Sequence, residues 1–497
     1  MDLSFPILTV LVVFPLLAAA LLWAVPALRS AWRAYGIGVS LVELALVGFA
    51  VYAFNMGAAG TIQLAEQYAW IPAIGTSWAL GVNGLGLVMI VLACFLVPLV
   101  ILARSEGDGG NPDWVYVALV LALQSFMVLI FAARDVLLFY IVFEAMLIPV
   151  YFLIGYFGGP NRKRAAMKFL LYSLAGGLIM LVGVVTLYVV GPGGETAYLI
   201  DSLEGSLAVD PMVERLLFVS FFIAFAIKAP MVPVHTWLPD TAQEADSGTS
   251  TLLVGILDKV GTFGMITLCL ALFPNASRWA APAIIILAVV SILWGAFVAL
   301  ASKDFMRLVA MTSVSHFGFM VLGIYIGSAT AMTGAMIYMV AHGLSTAGLF
   351  LVLGFLAKRG GTQQIPAYRG MQRITPVLAG LFLTAGLASI ALPGLSGFVP
   401  EYLVLVGTFA VNPIAAGFAV LGVIMAALYI LLPYQRMFTG PPEEGIQGAA
   451  DLNGREKAVM APLIASMLLL GFMPGLVLDA VTPVAEAVTP IVQVEGS

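Results

Sequence analysis

The chain has 497 residues, of which 62% are hydrophobic and only 9% charged, with a net charge of −5 at pH 7. Its mean hydropathy is +1.07. Soluble domains run nearer a quarter charged, so a soluble enzyme, a disordered chain and a nucleic-acid binder are excluded and a polytopic membrane protein remains.

A spanning helix needs about 20 apolar residues. Apolar runs read against charge and turn signals predict an all-α polytopic membrane protein of about 14 transmembrane helices. The segments are 5–27, 35–55, 84–103, 114–132, 136–158, 167–191, 215–234, 248–273, 280–301, 306–327, 332–357, 376–411, 414–435 and 458–478. Asp2 and the absence of early Lys or Arg argue against a basic signal-peptide start, so the first run is expected to stay as a helix. The stretches 55–83, 236–247 and 437–456 are the largest polar pieces, and after about residue 478 only a short tail is expected. Cys94 and Cys269 both lie in apolar runs, and two lone cysteines form neither an iron–sulfur ligand set nor a disulfide framework.

The basic residues orient these segments. With the N-terminus outside, the cytoplasmic loops hold 16 of the 21 Lys and Arg residues, in clusters such as Arg162–Arg164 and Arg455–Lys457. The outer loops hold Arg134, Arg215 and Arg278, and Lys228 and Lys259 fall inside helices. This asymmetry is the positive-inside signal and puts both termini outside. Pairs five segments apart hint at an internal repeat: Glu144 with His316, Gly183 with Gly354, and Pro230 with Pro393. An odd offset inverts the second copy, the pattern of transporters built around a midplane site.

The ionisable residues inside apolar runs are Glu43, Glu144, Lys228, His235, Asp258, Lys259, His316, His342 and Glu401. A charge at mid-bilayer costs about 2.5–3.5 kcal/mol on insertion scales, so each needs a partner, water or a task. Pro149 removes a hydrogen bond from the carbonyl of Ala145, beside Glu144. Pro230 and Pro233 break the helix just past Lys228, which lies too far into its segment to snorkel. Asp258 and Lys259, as helix neighbours, do not face the same partner. His316 and His342 lie near mid-helix among small residues; histidine titrates near neutral pH and passes protons in both directions, although a buried hydrogen-bonding histidine is the plainer alternative. Glu401 follows a second break at Pro393, Gly394, Gly397 and Pro400, where a helix N-terminus also favours a carboxylate. Glu43 stands alone and reads as structural, and His235 as a local hydrogen-bonding residue. Glu144, Lys228, Lys259, His316, His342 and Glu401 together are what a proton wire needs. Three histidines without repeated spacing fit haem ligation poorly, filter rings are missing, and no phosphate loop, metal-ligand cluster or nucleophile constellation is present.

The stretches FEAMLIPVYFLIG, RKRAAMKFLLYSLAG, KAPMVPVHTWLPD, MTSVSHFGFMVLG, LPGLSGFVPEYLVLVG and DLNGREK resemble the antiporter-like subunits of respiratory complex I, the NADH-quinone oxidoreductase, and among them the M type (mitochondrial subunit 4). The likeness covers nearly the whole chain. It implies one membrane domain over 1–497: helices 1–3 in 1–103, then two inverted five-helix repeats, each with one broken helix, over 114–273 and 280–435, and helix 14 at 458–478. It implies proton translocation coupled to electron transfer in other subunits. Glu144 would pair with Lys228, Lys259 would be the central carrier, His316 and His342 would bridge, and Glu401 would be the terminal site. No cofactor or metal is expected in this chain; NADH, FMN, iron–sulfur clusters and quinone would belong to partner subunits. Expected partners are the antiporter-like L and N neighbours, the peripheral arm and the lipid bilayer, in a bacterial cell membrane, with no nucleic acid. The alternative is an Mrp-type cation/proton antiporter subunit, which, like the L and N types, usually carries lysine where this chain has Glu401. Three departures from the family pattern stand out. Ala242 occupies the place of a loop histidine, Asp258 replaces an apolar residue, and Asn83 replaces an aspartate.

Overall fold

The computed structural model describes residues 5–107, 110–442 and 448–492. Asp2 and part of the expected polar loop 437–456, residues 443–447, lie outside the described residues. Among the described residues the fold is helical apart from one hairpin. Among the described residues eleven helices are long and apolar enough to cross a membrane, or twelve if the bent pair Gly454–Phe472 and Gly475–Ile491 is one span. Fourteen is therefore not reached on that measure. The difference lies in three expected segments that are not among the eleven: 215–234, 376–411 and 458–478. Pro211–Lys228 carries Glu214, Arg215 and Lys228, 376–411 is divided into Pro376–Ser389 and Phe398–Val411, and Gly454–Phe472 starts with three charges.

The helices sort into an inner and an outer set. The apolar windows of Phe305–Tyr325 and Ala329–Gly360 are wholly buried, and that of Ser247–Leu270 is 94% buried. Helices apolar on all sides belong in the middle of a bundle. Outer helices such as Trp32–Ala53, Arg162–Val190 and Pro274–Ala301 instead present Val182, Ile286 and Phe297 outward, where lipid would meet them. The inner three carry Lys259, His316 and His342, so the ionisable residues are held where lipid does not reach.

Polar side chains fasten the ends. The expected loop 55–83 holds an antiparallel hairpin, Gln63–Ile71 paired with Thr76–Val82. Asp135 joins it to the next helix: its carboxylate accepts from Thr76 Oγ1, Ser77 N and Leu138 N, each at 2.9 Å. Asn83, the departure from aspartate, caps the helix Gly84–Ala103 by accepting from Gly86 N at 3.0 Å, which an amide oxygen does as well as a carboxylate. In the DLNGREK motif, Asn453 and Glu456 form a capping box, and Glu456 accepts from Arg359 Nη2 at 2.6 Å. Asp451 accepts from Val377 N at 2.8 Å. That motif therefore ties together the starts of two helices and the end of a third. The short tail expected after residue 478 is corrected: a helix, Gly475–Val488, turns 64° away from the preceding one. It packs through Ala480, Val481, Val484 and Ala485. A Cβ at Gly84 would lie 1.8 Å from Ala480 O, so only glycine lets the two backbones approach this closely.

Candidate functional site

Lys228 is the last residue of its helix, Pro211–Lys228, and the next helix starts at Trp237. Proline at 230 and 233 forbids continuation, and the freed backbone is taken up by side chains. Trp237 Nε1 donates to Ile227 O at 2.9 Å, and Val232 N donates to Ser291 Oγ at 3.0 Å. Unwound backbone at membrane depth is tolerated only when satisfied in this way. Lys228 is buried, its Nζ 5.2 Å from the centroid of the Phe143 ring and 5.4 Å from that of Phe169. These distances allow cation–π contact.

Glu144 lies where one helix, Val136–Ala145, gives way to the next, Leu147–Phe157. Its carboxylate faces Gly177: a Cβ there would sit 1.5 Å from Glu144 Oε1. Oε1 is buried without a hydrogen-bond partner among the described residues. Glu144 and Lys228 interact electrostatically, but no ion pair joins them within 4.0 Å among the described residues. The two therefore form no closed bridge among the described residues.

Lys259 sits between two stretches of wide π-type turns, Leu253–Leu257 and Met265–Leu270; such stretches are uncommon and concentrate at functional sites. Its Nζ is 2.6 Å from Val254 O and 2.8 Å from His342 Nδ1. Close packing makes this contact possible: a Cβ at Gly343 would lie 2.9 Å from Gly255 O, so two glycines let the lysine and histidine helices approach. A charged lysine donates to Nδ1, which places the ring proton of His342 on Nε2.

From His342 the line continues to His316, with ring centroids 5.2 Å apart. His316 Nε2 is 3.0 Å from the hydroxyl of Tyr429, and the Tyr338 ring is 5.7 Å from that of His316. Tyr338 donates its hydroxyl to Glu401 Oε2 at 3.1 Å. Glu401 lies in the first turn of Phe398–Val411, after the second break. There a Cβ at Gly397 would fall 2.1 Å from Ala388 O, so the break needs glycine.

The structure brings Lys259, His342, His316 and Glu401 into one buried line and sets Lys228 and Glu144 towards its other end. The order differs from the chain: Lys259 meets His342 directly and His316 only beyond it. Tyr338 and Tyr429 escaped the sequence reading. Tyr338 stands four residues before His342, one helical turn away, a spacing that was visible; Tyr429 gave no local signal. His235 behaves as expected, with Nε2 accepting from Trp294 Nε1 at 3.2 Å. Glu43 is wholly buried, and neither carboxylate oxygen has a hydrogen-bond partner among the described residues. Among the described residues no three His, Cys, Asp or Glu side chains converge as metal ligands.

Outside the spans, Asp240 accepts from both Lys168 Nζ and Arg307 Nη1 at 2.5 Å. Partial burial pushes its carboxyl up, but hydrogen bonds from and the charges of Lys168 and Arg307 outweigh this and hold it below the ordinary carboxylate value.

Fold and site define a polytopic helical membrane protein with a row of buried ionisable side chains whose central members, Lys259, His342 and His316, lie on its inner helices. Residues 133–428 match the family described as NADH:quinone oxidoreductase/Mrp antiporter, transmembrane. The chain is 43% identical to an NADH-quinone oxidoreductase subunit M of Mycobacterium tuberculosis, covering 97% of this chain and 93% of the relative. It is 37% identical to the subunit M of Rhodobacter capsulatus, over 85% and 83%. It superposes on a chain of respiratory complex I from Thermus thermophilus with a TM-score of 0.88 at 32% identity, covering 98% of this chain and all of that one. A chain of the Mrp complex from Dietzia matches with a TM-score of 0.87 at 20% identity over 99% of this chain and all of that one, a likeness of fold alone. The chain belongs to the NADH:quinone oxidoreductase/Mrp antiporter transmembrane family. Its relatives are those the motifs indicated, the antiporter-like subunits of M type.

Proposed function

We propose that the chain is the proton-translocating, antiporter-like membrane subunit of an NADH:quinone oxidoreductase. Electrons would pass from NADH to quinone in other subunits, which would hold the FMN and iron–sulfur clusters, while this chain carries no redox group. Its neighbours would be the L- and N-type antiporter-like subunits and the peripheral arm. It would lie in a bacterial cell membrane with both termini outside, in the one-domain arrangement of three leading helices, two inverted repeats over 114–273 and 280–435, and a closing helix.

The observation that carries this reading is the buried contact of Lys259 with His342, continued through His316 and Tyr338 to Glu401. In this arrangement Lys259 donates its proton to His342 Nδ1, and His342 releases one from Nε2 towards His316. Tyr338 and Tyr429 orient the terminal carboxylate and His316. Glu144 and Lys228 bias the lysine electrostatically from the other end. The single glutamate at 401, where Mrp-type subunits usually carry lysine, speaks against the cation/proton antiporter alternative. Purification of the native complex tests the assignment. The chain is expected to co-purify with an NADH-oxidising, quinone-reducing assembly. Recovery with antiporter subunits alone, exchanging cations for protons without NADH oxidation, would contradict it.

A further inference from the structure

Asp258 is wholly buried, and neither of its carboxylate oxygens has a hydrogen-bond partner among the described residues. A buried carboxylate is costly unless a charge or hydrogen bond compensates it. The direction it faces is fixed by its helix. Gly261, three residues on and so on the same side, packs directly on the broken end that bears Lys228: a Cβ there would lie 2.5 Å from Phe225 O and 2.6 Å from Ala229 N. Gly264 packs against the Phe225 ring in the same way. Lys259, the next residue, turns to another side and meets His342. The adjacent pair thus splits, the acid facing the Lys228 end and the base facing the histidines. Asp258 interacts electrostatically with both lysines, and it and Glu144 both act on Lys228.

We propose that Asp258 is the shared counter-charge of Lys228 and Lys259, a positioning residue that links the Glu144 end of the buried line to its central lysine. The inference rests on the proton-translocating reading given above. Neither Asp258 nor Glu144 closes a bridge to Lys228 among the described residues, so Asp258, like Glu144, compensates Lys228 through space. When Lys259 gives up its proton, Asp258 remains as the partner of Lys228; when Lys259 is charged, the carboxylate is divided between two cations. Occupancy of the central lysine is thereby felt at Lys228, and through it at Glu144.

The test uses the native complex in inverted membrane vesicles, with proton pumping followed alongside NADH oxidation. Asp258→Asn and Asp258→Leu are expected to assemble and to lower pumping roughly tenfold, which is about 1.4 kcal/mol. Asp258→Glu, which keeps the charge, is expected to restore most of it. Combining Asp258→Asn with Glu144→Gln is expected to lose more than the product of the single effects, because Lys228 then has neither acid. Wild-type pumping in the Asn or Leu variant would overturn the proposal, as would a simply multiplicative double variant. Failure of both neutral variants to assemble, with Asp258→Glu assembling normally, would mark a structural charge and overturn it too. Lys259→Met separates the two levels: undiminished pumping there refutes the proton line itself, whereas its loss alongside normal Asp258→Asn pumping refutes only the role of Asp258.

Discussion

Replacing His342 with leucine cuts the line at its best-defined contact. Lys259 Nζ has two acceptors, Val254 O at 2.6 Å and His342 Nδ1 at 2.8 Å, and leucine leaves only the carbonyl. A hydrogen bond to a charged group is worth about 1.5–3 kcal/mol, and each 1.4 kcal/mol is tenfold. Loss of this acceptor therefore lowers the population poised for transfer by roughly ten- to a hundredfold. His342 is also the only link shown between Lys259 and the His316 ring, 5.2 Å farther along, so no second contact among the described residues makes up the loss. Leucine suits the apolar surroundings, and the complex is expected to assemble. Quinone-linked pumping in vesicles, normalised to assembled complex, should fall at least tenfold. His342→Gln, which offers an acceptor but cannot relay a proton in the same way, should assemble as well without restoring pumping. Pumping within twofold of wild type in His342→Leu would refute the reasoning, because the contact would then carry no proton.

Glu401→Gln should impair pumping while leaving assembly intact. Tyr338→Phe, which removes one hydrogen bond worth about 1 kcal/mol, should slow pumping only severalfold, as steady-state vesicle assays would show. Gly177→Ala places a methyl where Glu144 Oε1 now lies, so it should displace that carboxylate and reduce coupled activity with little change in complex yield on native gels. Asp240 is held below the ordinary carboxylate value, so its stabilisation is present above about pH 4 and is lost as pH falls through the lowered folded value. Thermal unfolding of the detergent-solubilised complex from neutral to acid pH should show that loss, and Asp240→Asn should remove it while lowering stability at neutral pH.

The lipid-spanning architecture was legible because long apolar runs leave few alternatives in composition. Both helix breaks were legible because Pro230, Pro233, Pro393 and Gly397 have backbone consequences that hold in any context. The ionisable residues were visible for a related reason: at membrane depth each one is expensive, so none is ornamental. Their order in space was not visible. Chain order puts His316 before His342, whereas Lys259 reaches His342 first because Gly255 and Gly343 let those two helices close up, a tertiary fact. Tyr338 and Tyr429 bear no formal charge and blend into apolar runs. The hairpin 63–82 lies in a stretch whose outer strand is mostly exposed, and the helix Gly475–Val488 holds Pro483 within it, a residue that reads as a stop. Asp258 was visible as a departure from the family pattern, but the side of the helix it occupies depends on the packing of Gly261 against Phe225 and Ala229.

The central claim, that protons cross this chain through its buried line while electrons flow elsewhere, is tested most directly by the number of protons moved per NADH oxidised in vesicles carrying Lys259→Met. Methionine keeps an unbranched chain but lacks the terminal ammonium, and Nζ is the atom on which the line turns. The account predicts an assembled complex in which fewer protons move for each NADH oxidised; an unchanged ratio at normal turnover would contradict it.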